Sequence, residues 1–363
     1  MSKRNSDMIR FVILFTCAIL SFLQFTSCRH STEPPIVLPD TTSHNFTWEV
    51  TALGDGYSNI LHDVGIIHDR LAYLGGEIFL RDSTGQMDPI LYNLAIWNGS
   101  NWTIRRVPYI YQGSPSYSEI RWIFAINEGD IWLGNSVHWD GQNFHNIDIG
   151  TFIFSGIGSN RMWGSATGKL YVVGNSGATG YSPDYGATWQ KLESGTTVDL
   201  RDITGTTNGK SVWTCGYSID LSKSVLLRSD GGAWSTVWNR QSTSTPPYGQ
   251  LVLTVWAGTS NLFVGAADGV YRSPLDGSAS PQRVLPLSSV PHRIRGTGEN
   301  NIAVACDDGS MWHYNGATWK QLVPGEPFKP LYGIAVSANL IIAVGFDATT
   351  IDWKGWVVVG RRN

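Results

Sequence analysis

One short phrase recurs along this chain and limits its fold more than any other feature. A strand end meets Asn-Gly or Asp-Gly, two residues follow, and a large aromatic residue opens the next strand. The copies are Trp97-Asn-Gly-Ser-Asn-Trp102, Trp139-Asp-Gly-Gln-Asn-Phe144 and Tyr314-Asn-Gly-Ala-Thr-Trp319. Variants are Ser182-Pro-Asp-Tyr-Gly-Ala-Thr-Trp189, Ser229-Asp-Gly-Gly-Ala-Trp234 and the degraded Leu275-Asp-Gly-Ser278. Asn-Gly and Asp-Gly suit the positive φ angles of tight hairpins. The turn glycines Gly99, Gly141, Gly186, Gly232, Gly277 and Gly316 are spaced by 42, 45, 46, 45 and 39 residues. A hairpin in every 40–45 residues is the period of four-stranded propeller blades.

A second series supports this reading. Leu71-Ala-Tyr-Leu-Gly75, Ile131-Trp-Leu-Gly134, Leu170-Tyr-Val-Val-Gly174 and Val212-Trp-Thr-Cys-Gly216 align with Leu262-Phe-Val-Gly265, Ile302-Ala-Val-Ala305 and Ile341-Ile-Ala-Val-Gly345. Nearly continuous apolar runs of this length suit strands buried on both faces. Seven such strands predict an all-β, seven-bladed propeller with four-stranded antiparallel blades over residues 46–363. Charged residues are only 15% of the chain, which leaves too few for long amphipathic helices. Two closures of the ring are compatible with the pattern. Residues 46–52, beginning Phe46-Thr-Trp-Glu-Val50, can supply the fourth strand of the last blade, sparing the ring two open sheet edges. Alternatively, Trp353-Lys-Gly-Trp356 is a seventh hairpin and residues 46–52 form an added edge strand.

The chain begins with Lys3, Arg4 and Arg10, then an apolar run from Phe11 to Phe25, then Thr26-Ser27-Cys28. This is a secretory signal pattern over residues 1–27, with Met8 as an alternative start. The run is too short for a comfortable membrane span. Small residues before Cys28 resemble a bacterial lipobox, with Phe25 where Leu is commonest. The resemblance implies cleavage before Cys28, lipid on that residue and a membrane-anchored lipoprotein of the cell envelope, at the outer membrane or surface. Residues 28–45 are rich in Ser, Thr and Pro and read as a flexible tether. Removing residues 1–27 takes a net charge of +2 from the chain's −3, leaving about −5. That weak acidity excludes the basic footprint of a nucleic-acid binder. Cys215 and Cys306 fall in non-adjacent blades, too far apart for a disulfide, and no Cys-x-x-Cys occurs. They are expected to be free and buried.

Ser182-Pro-Asp-Tyr-Gly-Ala-Thr-Trp189 is similar to the Asp-box, Ser-x-Asp-x-Gly-x-x-Trp, of sialidase-like propellers and of propellers related to photosystem assembly factors. The resemblance covers Phe46 to Asn363. It implies that Asp184 caps turn amides and Trp189 plugs the space between strands, both structural roles. A sialidase would also need an Arg-Ile-Pro motif in the first blade, and Arg293-Ile-Arg295 is late and lacks the Pro. There is no Gly-x-Ser-x-Gly, no phosphate loop and no His-Glu-x-x-His. Asp307-Asp308-Gly309 and Ala267-Asp268-Gly269 are explained as turns. No cofactor or metal site is expected.

The candidate site rests on the first blade and on the starts of the inner strands. Between Gly75 and Trp97 the chain is some ten residues longer than its equivalents, and long insertions are often functional. This loop should share a face with Ser58-Asn-Ile-Leu-His62, Glu119-Ile-Arg-Trp122, Asp199-Leu-Arg-Asp202, His292-Arg-Ile-Arg295 and Lys329-Pro-Leu-Tyr332. Glu77, Asp82, Asp88, Arg121, Trp122, Arg201 and Arg295 are the expected ligand-binding residues, with the arginines ringing the channel. Arg grips carboxylates bidentately and Trp stacks on sugars or rings. The reading is a monomeric scaffold binding a protein or glycan ligand. The alternatives are a sialidase-like glycoside hydrolase and a purely structural surface protein.

Overall fold

The computed structural model describes residues 40–363, apart from 57, 135, 148, 150–152, 154–157 and 242–246. Residues 1–39, which include the expected signal segment, Cys28 and most of the expected tether, lie outside the described residues. Seven four-stranded antiparallel sheets form seven blades. The inner strands are Ile60–His68, Ile123–Asn127, Ser159–Gly164, Leu200–Gly205, Val252–Ala257, Pro291–Gly298 and Leu331–Val336. In blades one to six the strands run outward in chain order. Every recurrent Asn-Gly or Asp-Gly phrase connects a third strand to a fourth.

Turn chemistry accounts for these hairpins. Asn98, Asp140 and Asn315 each accept two backbone N–H groups two and three residues ahead. The following Gly99, Gly141 and Gly316 take φ of 96°, 91° and 100°. In Ser229-Asp-Gly-Gly it is Gly231, not Gly232, that takes positive φ, at 94°. At the Asp-box-like hairpin Asp184 accepts the amide and hydroxyl of Thr188. Trp189 packs at the blade two–three interface, its ring 5.9 Å from that of Trp132.

The last blade settles how the ring closes. Lys354–Arg362 is its third strand, and Phe46–Leu53 is its fourth, paired from Phe46↔Arg362 to Leu53↔Gly355. Trp353 is therefore not in a hairpin of its own; it stacks on Phe346 at 4.8 Å. Asp40–Asn45, read from composition as tether, forms a strap on blade six. Thr42 donates to the Asn315 carbonyl, Asn300 donates to Asp40, and His44 meets His313.

The core is divided rather than central. Among the described residues there are seven apolar clusters, one between each pair of neighbouring blades. Leu61, Leu74, Ile342 and Val344 join blades one and seven, for example. Each fully buried side chain of this kind contributes about 1.5–3 kcal/mol of transfer free energy. Cys215 and Cys306 are free and buried, each in such a cluster. Because each blade packs only on its neighbours, about 320 residues fold without one oversized core.

The channel along the axis is instead filled by charge. Asp63 of blade one pairs with Arg161 of blade three and accepts the Ile123 amide of blade two. Asp202 of blade four repeats the pattern. It pairs with Arg293 and Arg295 of blade six, and accepts the Val255 amide and Thr254 hydroxyl of blade five. Burial alone would raise the Asp202 carboxyl, but the two guanidinium groups outweigh it and hold its pKa below the usual range. This layer of charge separates a front cavity, where the inner strands begin, from a rear one, where they end.

Candidate ligand site at the front mouth

A repeated backbone irregularity builds the front mouth. In six blades the inner strand starts with a β-bulge: Leu61/Asp63, Ser159/Arg161, Leu200/Asp202, Val252/Thr254, Pro291/Arg293 and Leu331/Gly333. A bulge leaves one residue unpaired and re-aims its side chain. The unpaired residues are His62, Asn160, Arg201, Leu253, His292 and Tyr332, and all six line the front cavity. Arg121 supplies the position from blade two. Seven blades therefore contribute one side chain each to a ring around a cavity of about 300 Å³.

The floor below the ring is Arg161 and Arg293. Exposure falls steeply from rim to floor: the Arg121 side chain is 63% exposed, Arg201 36%, Arg293 10% and Arg161 5%. The rim arginines are paired. Arg121 donates to Glu119 at 2.6 Å, and Arg201 approaches Asp199 at 3.3 Å while lying 4.5 Å from the Tyr217 ring centre. The floor is less complete. Nε of Arg161, of Arg293 and of Arg201 is buried without a hydrogen-bond partner, while Nη1 of Arg293 lies 2.8 Å from Asp202. Such donors are costly unless something accepts from them.

The electrostatics agree. Burial first, and the neighbouring Arg293 second, pull the Arg161 pKa down; Asp63 opposes but does not restore it. His62 is pushed down to about 4, by burial first and then by Arg121. Glu119 and Asp63 oppose the shift without cancelling it, so the imidazole stays neutral near pH 7. His292 donates from Nε2 to Asp307 at 2.8 Å, and its ring meets Tyr332 edge-on at 4.8 Å. Asp307 is held below its usual range by that His292 contact. The result is a cavity that favours an anion and offers it two buried guanidinium groups.

The expected residues are distributed unevenly. Arg121 and Arg201 line the mouth. Glu77 is half-buried and acts electrostatically on the Glu119–Arg121 pair, with its pKa raised by burial first and Glu119 second. Arg295 does not join the ring. It is bound to Asp202 and lines the rear cavity, because the bulge at Pro291/Arg293 gives the mouth position to His292. Trp122 is buried in the blade two–three core and donates to Ser159. The long loop lies on the front face but folds outward over the chain before the first inner strand, where the Arg81 backbone amide donates to the Asp55 carboxylate. Asp82 binds its own turn through Thr84 and Gln86, and Asp88 pairs with Arg106. None of Trp122, Asp82 or Asp88 lines the cavity. The segments holding His62, His292, Arg293 and Tyr332 were expected on this face but those residues were not singled out, and Asn160 and Arg161 were not anticipated at all. Among the described residues no cluster of three or more His, Cys, Asp or Glu is arranged to hold a metal ion.

No protein-family profile matches the chain, and no curated protein sequence matches it. Solved structures do. YCF48 bound to D1 peptide is 16% identical, with a TM-score of 0.59, over 91% of this chain and 99% of that one. YCF48 from Cyanidioschyzon merolae is 13% identical, with a TM-score of 0.55, over 86% and 98%. Virginiamycin B lyase from Staphylococcus aureus is 11% identical, with a TM-score of 0.60, over 88% and 100%. At these identities the likeness is one of fold: the chain is built like β-propellers that include a peptide binder and a lyase.

Proposed function

We propose that this protein is a binding propeller whose front mouth takes an acidic group of a protein partner, and that Cys28 carries the lipid that holds it at the bacterial cell envelope. The observation that carries the binding half is the floor: Arg161 and Arg293, both nine-tenths buried, keep guanidinium nitrogens without partners beneath a seven-residue ring. A carboxylate entering there would be attracted by the charge of both guanidinium groups. The peptide held by YCF48 is a precedent for protein ligands on this architecture. A propeller alone names no ligand, so the site carries the reading.

Binding is favoured over glycoside hydrolysis by how the carboxylates are used. Glu119 and Asp199 at the rim each face an arginine, Asp307 is hydrogen-bonded to His292, and Asp63 and Asp202 are buried in ion pairs. No pair of uncommitted carboxylates flanks the cavity in the manner of a glycosidase, among the described residues.

The test is fluorescence polarisation with labelled triaspartate and trialanine peptides. Triaspartate should bind, weaken with added salt, and lose about tenfold in affinity, or about 1.4 kcal/mol, in an Arg121→Ala/Arg201→Ala double variant. Equal binding of both peptides, or an unaffected double variant, would remove the assignment.

A further inference from the structure

The rear cavity is a second and different site. It holds about 440 Å³, a volume suited to a small organic ligand. Its wall is largely aromatic and aliphatic: Phe124, Trp163, Trp256, Ile203, Ile334 and Val336 line it. Three of these rings are fixed by glycines in the next blade. A methyl group at Gly164 would stand 2.9 Å from Phe124, one at Gly205 2.6 Å from Trp163, and one at Gly296 2.9 Å from Trp256. Those distances are shorter than side chains tolerate, so the glycines let the rings lie against the backbone. The rings are thus preorganised while remaining only partly buried at the cavity wall. Partly exposed rings held this rigidly suit a flat apolar partner at low entropic cost.

The floor of the same cavity is charged. Arg161, Arg295 and Asp63 line it, and the layer they belong to holds three guanidinium groups against two carboxylates. One positive charge is left over in a buried setting, and Nε of Arg161 has no partner. We propose that the rear mouth binds a small aromatic ligand carrying a single carboxylate or sulfonate, its ring between Trp163 and Trp256 and its anionic end toward Arg295 and Arg161. This site shares Arg161 with the front mouth, but its aromatic wall and Arg295 lie on the opposite side of the charged layer, so a rear-mouth substitution tests it separately.

Two dyes separate the contributions. Anilinonaphthalene sulfonate has the required ring system and one negative charge; phenylnaphthylamine is its neutral counterpart. The folded protein should bind the anionic dye at one saturable site with enhanced fluorescence, and bind the neutral dye about tenfold more weakly. Thr207→Trp, on an exposed turn at the cavity rim, should block the site without disturbing the fold. Trp256→Leu should remove one aromatic wall and weaken the dye about tenfold, with melting curves verifying that both variants stay folded. The Arg121→Ala/Arg201→Ala variant should bind the dye as wild type does. Dye binding that survives both rear-mouth substitutions, is lost in the front-mouth variant, or is equal for the two dyes would overturn the proposal.

Discussion

Acidification from about pH 7 to about pH 5 should loosen the strap that leads into the closing strand. His313 is fully buried on blade six, and its hydrogen bonds define its tautomer. Nε2 donates to Oδ1 of Asn301 at 3.0 Å, so Nδ1 must accept, at 2.8 Å, from Nδ1–H of His44. His44 Nε2 then accepts from the Thr318 hydroxyl. A second proton on His313 would set N–H against N–H. Lys320 and Arg362 add positive charge nearby and lower the His44 pKa further, after burial. Burial first, then His44 and Arg362, push His313 down to about 3. A histidine depressed in this way stays neutral in the fold, while the unfolded chain takes a proton below about 6.5. Stability is therefore complete above that pH and falls as the pH drops toward the folded value. At pH 5 the unfolded chain gains about 2 kcal/mol from this one group. Carboxylates held low, such as Asp140 at about 2, begin to cost stability only below their unfolded value near 4. The window from 7 to 5 thus reports the histidines. Urea unfolding followed by tryptophan fluorescence measures it, with His313→Gln as the comparison, since Gln can still donate to Asn301. The variant should lose about 2 kcal/mol of the pH dependence. If wild type and variant fall equally between the two pH values, the assignment of the strain to the His44–His313 pair is wrong.

Further expectations follow from the same structure. Cys28→Ser should move the protein from the membrane to the soluble fraction; unchanged co-sedimentation and processing would dismiss the lipid anchor. Deleting residues 46–53 should bare the edge of Lys354–Arg362 and cause aggregation or a large drop in melting temperature, and a stable monomeric deletion would refute the closure. Asp202→Asn leaves Arg293 and Arg295 without their buried counter-charge and should cost about 3–5 kcal/mol in denaturant unfolding; a loss below about 1 kcal/mol would mean that water reaches the channel layer and screens it.

The blades were legible in the sequence because they are built from local chemistry. Asn98, Asp140 and Asn315 cap their own turns, so the hairpin phrase carries its structure with it. The second strands were legible because burial on both faces leaves an unbroken apolar run. The mouth was legible only as a set of segments. Alternation along His292-Arg-Ile-Arg295 suggests that Arg295 faces the site, but the bulge after Pro291 breaks the alternation and turns His292 into the ring. Nothing in a single strand announces that bulge. One signal was present and unused. At the residue after the mouth position, blades one and four carry Asp63 and Asp202, while blades three and six carry Arg161 and Arg293. Opposite charges two blades apart at equivalent register are what the channel layer is made of. The acidic insertion misled for a simple reason: Asp82 and Asp88 serve the loop itself, which a long irregular segment needs in order to hold its shape.

The ring of His62 offers the most direct test of an anion site at the front mouth. Its proton affinity is low because it is buried and lies beside Arg121, an effect that Glu119 and Asp63 oppose without cancelling. Carbon–proton NMR can follow its titration, assigned through His62→Gln, with and without saturating triaspartate peptide. A carboxylate seated on Arg161 and Arg293 should raise the His62 pKa from about 4, and a rise of about one pH unit corresponds to roughly 1.4 kcal/mol of interaction. A titration unchanged by the bound peptide would place that peptide elsewhere on the propeller and contradict the site.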